Sequence, residues 1–344
     1  AAPPPRPARP PEPLRVAELA AFLRNPAEAA LRRHLGLFPA RELLEEDDEP
    51  FVTGRIGAQG IAGETVGRIE TSPRSAPDDW RGEFEELYAA RALASRAPEG
   101  AFAAIDRSRL ARQIERRLGG PGAGLADLLA SGAPFGPAAL GEDEPGPGRL
   151  VFPGAKVAVA GAGTLPIHGR LPLVRRGASG LEYLVVAGRV EGKGSFHEAL
   201  LPPLLFHLCL GGGEPARVFA SHRDGLLRWR LQSFGPYRAE RYLERLAAGL
   251  LGPDAFDLLP LALILQAQDL RGPLEADGDP EEEALYPGLL REALDTFGED
   301  RFGFFRLPDL LSASSASVPE TAWAKIRARI GPLLEWLEPE EDGT

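Results

Sequence analysis

The sequence predicts an α+β fold: a central mixed β-sheet flanked by helices, with a helical N-terminal region. Three observations predict it. Up to about residue 130, apolar residues recur mainly at helical spacing. From Leu150 the pattern changes to short alternating or continuous apolar runs, and Leu184-Val185-Val186-Ala187 reads as a buried strand. One short apolar helix and two more strands then lead back to helices at the end of the chain.

Composition sets further bounds. The chain has 344 residues, enough for one large domain or two modest ones. Hydrophobic residues make up 44% and charged residues 26%, so a sizeable core can be buried. No apolar run approaches the roughly 20 residues that span a bilayer, and no membrane segment is expected. The opening AAPPPRPARPPEP lacks the apolar stretch of a secretory signal. The single cysteine, Cys209, rules out an intrachain disulfide, a four-cysteine zinc site and a cysteine-held iron–sulfur cluster, and it suits a reducing cytoplasm. Asp and Glu number 50 against 39 Lys and Arg, a net charge of -11. Such a chain repels free duplex DNA on average, so DNA contact needs a local Arg cluster inside a larger assembly. No methionine is present, even at position 1. Either the chain is a piece of a longer protein, or modified methionines are missing from the written sequence and the spacings below are short.

Residues 1–13 form a Pro-rich linker or arm. A mainly helical region over 14–148 follows, then an α/β core with C-terminal helices over 149–344. Leu14, Val16, Leu19, Phe22 and Leu23 recur at helical spacing until Asn25-Pro26 breaks the helix, and a second helix runs from Pro26 to Leu35 and ends at Gly36. Residues 42–49 are an acidic loop, and 54–67 are glycine-rich with no defined structure. Helices are predicted over 80–97, 108–118 and 125–129, and a Gly- and Pro-dense loop over 132–148. Strands are predicted over 150–152, 156–160, 164–174 and 182–190, the last two joined by a turn over 175–180. A helix over 203–210 stops at three glycines, and strands over 216–220 and 226–231 follow. Pro236 starts a helix that reaches Leu251, and an amphipathic helix spans Trp323 to Trp336.

Arg170, Arg175, Arg176, Arg189 and Lys193 fall on one strand–turn–strand unit. Such an array either meets phosphates or forms a solvated hairpin face. Trp229, between Arg228 and Arg230, is either a stacking platform for bases or core. Gly192-Lys193-Gly194-Ser195 lacks the spacing of a phosphate loop, and the five histidines show no HExxH or other metal-ligand spacing. His207 and Cys209, on a short apolar helix, read as packed core.

A strand, a turn, a second strand and a helix also carry the site of PD-(D/E)XK nucleases. There an acid on the first strand, and an acid-spacer-lysine set on the second, hold Mg²⁺ and orient the attacking water. In the helicase-coupled branch the strands read Gly-x-x-Asp-Arg and apolar-Asp-Tyr-Lys. Here they read Gly169-Arg170-Leu171-Pro172 and Val185-Val186-Ala187-Gly188-Arg189. Pro172 replaces the first acid, Ala187 the second, and Arg189 the lysine. Glu191 shares a strand face with Ala187 and Arg189 but lies four residues past the acid position. No catalytic residue, bound metal or cofactor is therefore expected.

The stretch LRVAELAAFLRNPAEAALRRHLGL over 14–37, with DDEPF over 47–51, EGAF over 99–102 and GPLLE over 331–335, resembles the C-terminal domain of the exodeoxyribonuclease V gamma subunit (RecC) family. Asn25 stands where iron–sulfur members of the wider family carry a cysteine. The resemblance implies a degenerate, restriction-endonuclease-like PD-(D/E)XK core. It further implies a non-catalytic scaffold and DNA-strand-guiding role in a RecBCD-type helicase–nuclease complex that acts on double-strand breaks. The alpha (RecD-like) and beta (RecB-like) subunits would be its partners, with DNA, as single strands, passing through the complex. Two other readings stay open: a live nuclease with migrated acids such as Glu182 or Glu191, and a DNA-independent protein-interaction module.

Overall fold

In the computed structural model the described residues are 12–36, 52–71, 80–94, 97–119, 124–141, 149–187, 198–222, 225–252, 261, 301–302, 305–306 and 319–340. They build a nine-stranded mixed sheet with helices on both faces, an α+β fold.

The chain enters through a two-residue strand, β1 (Leu14–Arg15), and then forms α1 (Val16–Arg24) and α2 (Pro26–Leu35). Asn25 separates the two helices. Its extended backbone ends α1, and its side-chain oxygen accepts from the Glu28 amide at 3.4 Å to cap α2. Pro26 takes the first turn, where its missing N–H costs nothing. Gly36, at φ 63°, closes α2 in the left-handed conformation.

Helix α3 (Arg55–Thr71) corrects the expectation of undefined structure over 54–67. A glycine in a helix interior costs up to about 1 kcal/mol relative to alanine. Burial of Ile61, Ala62, Val66 and Ile69 opposes that cost. One glycine also allows a close approach: a Cβ on Gly60 would stand 3.0 Å from the Arg91 guanidinium. Three further helices follow, α4 (Trp80–Leu93), α5 (Gly100–Gly119) and α6 (Leu125–Ala130); α4 ends earlier and α5 begins earlier than the sequence pattern predicts.

Strand β2 (Gly136–Leu140) lies in a segment expected to be a loop. Its five residues, GPAAL, are too short and too small-sided to show a period, yet Ala138, Ala139 and Leu140 are buried. Next come β3 (Leu150–Phe152), β4 (Ala155–Val159), β5 (Gly163–Gly177) and β6 (Gly180–Val186). The β5–β6 turn is tighter than expected: Arg175, Arg176 and Gly177 all pair with β6, which leaves Ala178 and Ser179 as the loop. Helix α7 (Leu201–Cys209) carries the chain from β6 to β7 (Ala216–His222), which runs parallel to it, and β8 (Gly225–Leu231) returns antiparallel. A parallel pair requires such a crossover. Helix α8 (Pro236–Leu251) has the predicted bounds. A small ladder joins β9 (Arg301–Phe302) to β10 (Phe305–Arg306). Helix α9 (Pro319–Trp336) starts four residues before the expected Trp323 and leads into β11 (Leu337–Pro339), which pairs with β8. The sheet order is β11-β8-β7-β6-β5-β2-β3, with β1 and β4 also on β5.

Alternation divides the sheet into two apolar faces. Leu181, Tyr183, Val218, Trp229 and Leu231 pack with α1, α2, α7 and α8 and the end of α9. Leu173, Leu184, Phe219 and Leu226 pack with α3 to α6. Trp229, 2% exposed, is core rather than a stacking platform.

Each layer is pinned by one buried polar node. In the α3–α6 layer Asp106 is fully buried. It accepts from the Thr53 amide (3.1 Å), the Thr53 hydroxyl (2.5 Å), the Tyr88 hydroxyl (3.2 Å) and Arg109 Nη2 (2.7 Å). Burial alone would raise its carboxyl, but the bonds from Thr53 and Arg109 outweigh burial and hold it below the usual carboxylate value. Burial, with the Asp106 charge beside it, pushes the Tyr88 hydroxyl up to about 12. On the other face His207, 1% exposed, stacks on Trp336. Its Nε2 donates to the Glu214 carbonyl at 2.9 Å, which leaves Nδ1 to accept from the Tyr183 hydroxyl at 2.8 Å. Burial lowers the pKa of the ring, against the pull of that carbonyl, and keeps it neutral.

Two outcomes follow from these nodes. Asp106→Ala strands the Thr53 amide and hydroxyl and leaves Tyr88 and Arg109 with only the Pro98 and Thr53 carbonyls, and urea unfolding should show a loss of about 3 kcal/mol at neutral pH. The folded-state carboxyl lies below its ordinary 3.8, so its contribution is complete above that value and is lost as pH falls through the folded value. A change in unfolding midpoint within error would show that the node does not hold the layer. For His207 the unfolded ring takes up its proton near 6.5 while the folded ring resists, so stability falls as pH drops below 6.5. Urea midpoints measured between pH 7.5 and 5 should show this decline in the native chain and its absence in His207→Gln. Equal declines in both would remove His207 as the cause.

Candidate functional site

The site suggested by the sequence is built where β5 changes partners. Gly169 comes first. A Cβ there would stand 2.6 Å from Cγ2 of Val16, so only glycine lets the first turn of α1 rest on the strand. Three residues on, β5 carries a bulge: Gly136 faces Val174 while Ala138 faces Leu171, so three steps on β5 oppose two on β2. Pro172 sits inside that bulge. It has no amide hydrogen to give a ladder, and a bulge is one of the few sheet positions where proline is tolerated. The β5–β6 pairing runs from Gly177–Gly180 only as far as Val174–Tyr183. Beyond it a groove of about 780 Å³ opens between Leu171-Pro172-Leu173, the end of β6, and α3, with Pro202 and Pro203 at one side.

The groove is mainly apolar. Pro172 is exposed in it, beside Val185 and Val186. The carboxylate facing it is Glu64 of α3, which is paired with Arg91 at 2.7 Å. Ala187, next in line on β6, is 2% exposed. Its carbonyl accepts from Nη1 of Arg117 at 2.9 Å, and the same nitrogen donates to the Ser221 carbonyl at 3.2 Å. Arg117 is itself buried at 7%. A guanidinium therefore sits against the Ala187 backbone. Among the described residues no group of three His, Cys, Asp or Glu side chains gathers as metal ligands would.

The expected Arg array does not assemble as one face. Arg175 points inward at 5% exposure. Its Nε donates to Glu182 at 2.6 Å and its Nη1 to the carbonyls of Leu128 and Ala133, and its guanidinium lies 4.2 Å from the centre of the Phe135 ring. Strand alternation and the Arg175–Glu182 register place both on the α3–α6 face, so this cation is a structural tie and not a phosphate contact. Glu182, one of the acids a rearranged site would borrow, is committed to the same pair. Arg176, on the other face, is exposed over Phe152. Arg170 is exposed but lies mid-strand opposite Ala139, far along β5 from Arg176 beside the turn. Arg189, Glu191 and Lys193 lie outside the described residues, as do most of the Pro-rich arm and the DDEPF segment.

Arg117 and Glu64 were not legible as site residues in the sequence. Each comes from a helix far from the hairpin in sequence, and only packing brings it there. Arg117 carries one weak signal: it lies three residues after Ile114, on the buried side of α5.

Residues 11–127 match the family model described as the RecC C-terminal domain. No curated protein matches the chain. Among solved structures, that of SSO0001 aligns at a TM-score of 0.26 and 13% identity, covering 59% of this chain and 90% of that one. A likeness so slight carries no argument about function. The family match begins just before β1 and ends inside α6. It takes in Gly36, the Asp106 node and the helix that supplies Arg117, and over residues 11–127 the chain is similar to the RecC C-terminal domain.

Proposed function

We propose that this chain is a non-catalytic scaffold and DNA-strand guide within a RecBCD-type helicase–nuclease complex. We read β2, β5, β6, α7 and β7 as a nuclease-like core: a strand, a hairpin, a crossover helix and a parallel strand. The observation that carries the non-catalytic reading is the Arg117–Ala187 contact, with Pro172 in the facing bulge. A divalent ion needs converging carboxylate oxygens. Here one wall offers proline, the other alanine backed by a guanidinium, and Glu64 is neutralised by Arg91. A carboxylate introduced at Ala187 would meet Arg117 before it met a metal. The family match supports membership of the complex. The alpha (RecD-like) and beta (RecB-like) subunits are the partners we propose, and single-stranded DNA the ligand.

Calorimetric titration of the chain with Mg²⁺ or Mn²⁺ should give no saturable heat, and labelled single- or double-stranded DNA should survive incubation with either ion. Saturable binding together with cleavage that is lost in Glu64→Gln would overturn the non-catalytic reading. The scaffold reading is separable. Co-expressed with alpha and beta subunits from its own source, the chain inside its complete gamma subunit should co-purify with both, and a gamma subunit truncated before Leu14 should lose alpha. Full retention of alpha by the truncated subunit would defeat the proposed interface.

A further inference from the structure

A second cavity lies at the other change of partner on β5. It has a volume of about 490 Å³ and is lined by Arg15, Val16, Ala17, His168, Arg170 and neighbouring backbone. Strand β1 runs parallel to β5 with Leu14 beside Ile167 and Arg15 beside His168. Leu14 and Ile167 are fully buried, so the register cannot slip without exposing both. Alternation then turns Arg15 and His168 to the opposite side, and Arg170, two residues on, joins His168 there. Three basic or imidazole side chains from two distant segments thus border one cleft. The contact of Val16 with Gly169 holds the first turn of α1 against the strand, so the positive end of that helix adds to the same field. Of the two acids nearest Arg15 in sequence, Glu12 and Glu18, Glu18 accepts from the Arg15 amide at 2.9 Å and from Arg33 at 3.1 Å, so its charge is answered within α1 and α2. Glu198, on the 3₁₀ turn before α7, is likewise paired with Arg24 at 2.9 Å.

We propose that this cleft binds a backbone phosphodiester of single-stranded DNA through Arg15, His168 and Arg170. The proposal rests on the strand-guiding reading and supplies it with a place. Guanidinium forks suit the paired oxygens of a phosphodiester. A chain of net charge -11 disfavours the denser charge of a duplex elsewhere on its surface.

The test uses fluorescence anisotropy of labelled oligo-dT with the full chain at low salt. Arg15→Ala/Arg170→Ala should weaken binding at least about 10-fold and flatten the salt dependence by about 1.4 in log–log slope, the loss of two single-strand phosphate contacts. Arg15→Lys/Arg170→Lys should retain most of that slope, and Arg176→Ala should bind as the native chain does. Unfolding midpoints of all variants report whether the fold is kept. No oligo-dT binding by the native chain, or unchanged binding by the double alanine variant, would overturn the cleft. In that case co-purification with the helicase subunits would still leave the scaffold role standing. Competition by polyglutamate as effective as by oligo-dT would assign the cleft to an acidic peptide and also overturn the proposal.

Discussion

Fifteen residues of strand β5 have to satisfy four different strands. Residues 163–167 pair with β4, Ile167 and His168 with β1, residues 169–174 with β2, and residues 174–177 with β6. A strand has only two edges, so each change of partner leaves a place where the ladder is interrupted. The first interruption is filled by α1, whose Val16 packs on Gly169. The second is the bulge at Pro172, where β5 and β6 part and the apolar groove opens. The two candidate sites are these two interruptions, and both depend on β5 keeping its register.

Charge distinguishes the two places. At the bulge, the groove is lined by apolar side chains, Arg68 and a glutamate paired with Arg91, and the buried Arg117 holds the Ala187 carbonyl just past the end of β6, an arrangement hostile to a cation. At the β1 junction, the converging groups are Arg15, His168 and Arg170, an arrangement that favours an anion. The two sites share β5 and Pro202 and otherwise draw on different residues.

The two helical layers matter to this arrangement because they set which residues can reach the sheet. Layer α3–α6 delivers Arg117 to Ala187 and ties Arg175 to the Leu128 and Ala133 carbonyls. The layer of α1, α2, α7 and α8 fixes β1 against β5 and buries the neutral His207. Burying an ion pair such as Arg175–Glu182 contributes little net stability, but removing either partner would leave an uncompensated charge in the core. The pair therefore acts to fix the hairpin against α6.

The sequence by itself determined the elements whose signals are local. The Asn25-Pro26 break, the Gly36 cap and the start of α8 at Pro236 follow from backbone chemistry that neighbours in the chain supply. That neither Pro172 nor Ala187 carries a carboxylate is equally local, since it depends only on which residue occupies each position. Helix α3 and strand β2 were illegible because glycine disfavours a helix and glycine, proline and alanine disfavour a strand, so only burial against β6 and β5 decides their form. Tertiary structure alone decided that Arg175 turns inward, that Arg117 caps Ala187, and that Arg15 stands beside His168. Each joins residues between 7 and 153 positions apart, and no pattern within one segment records which distant segment will pack against it.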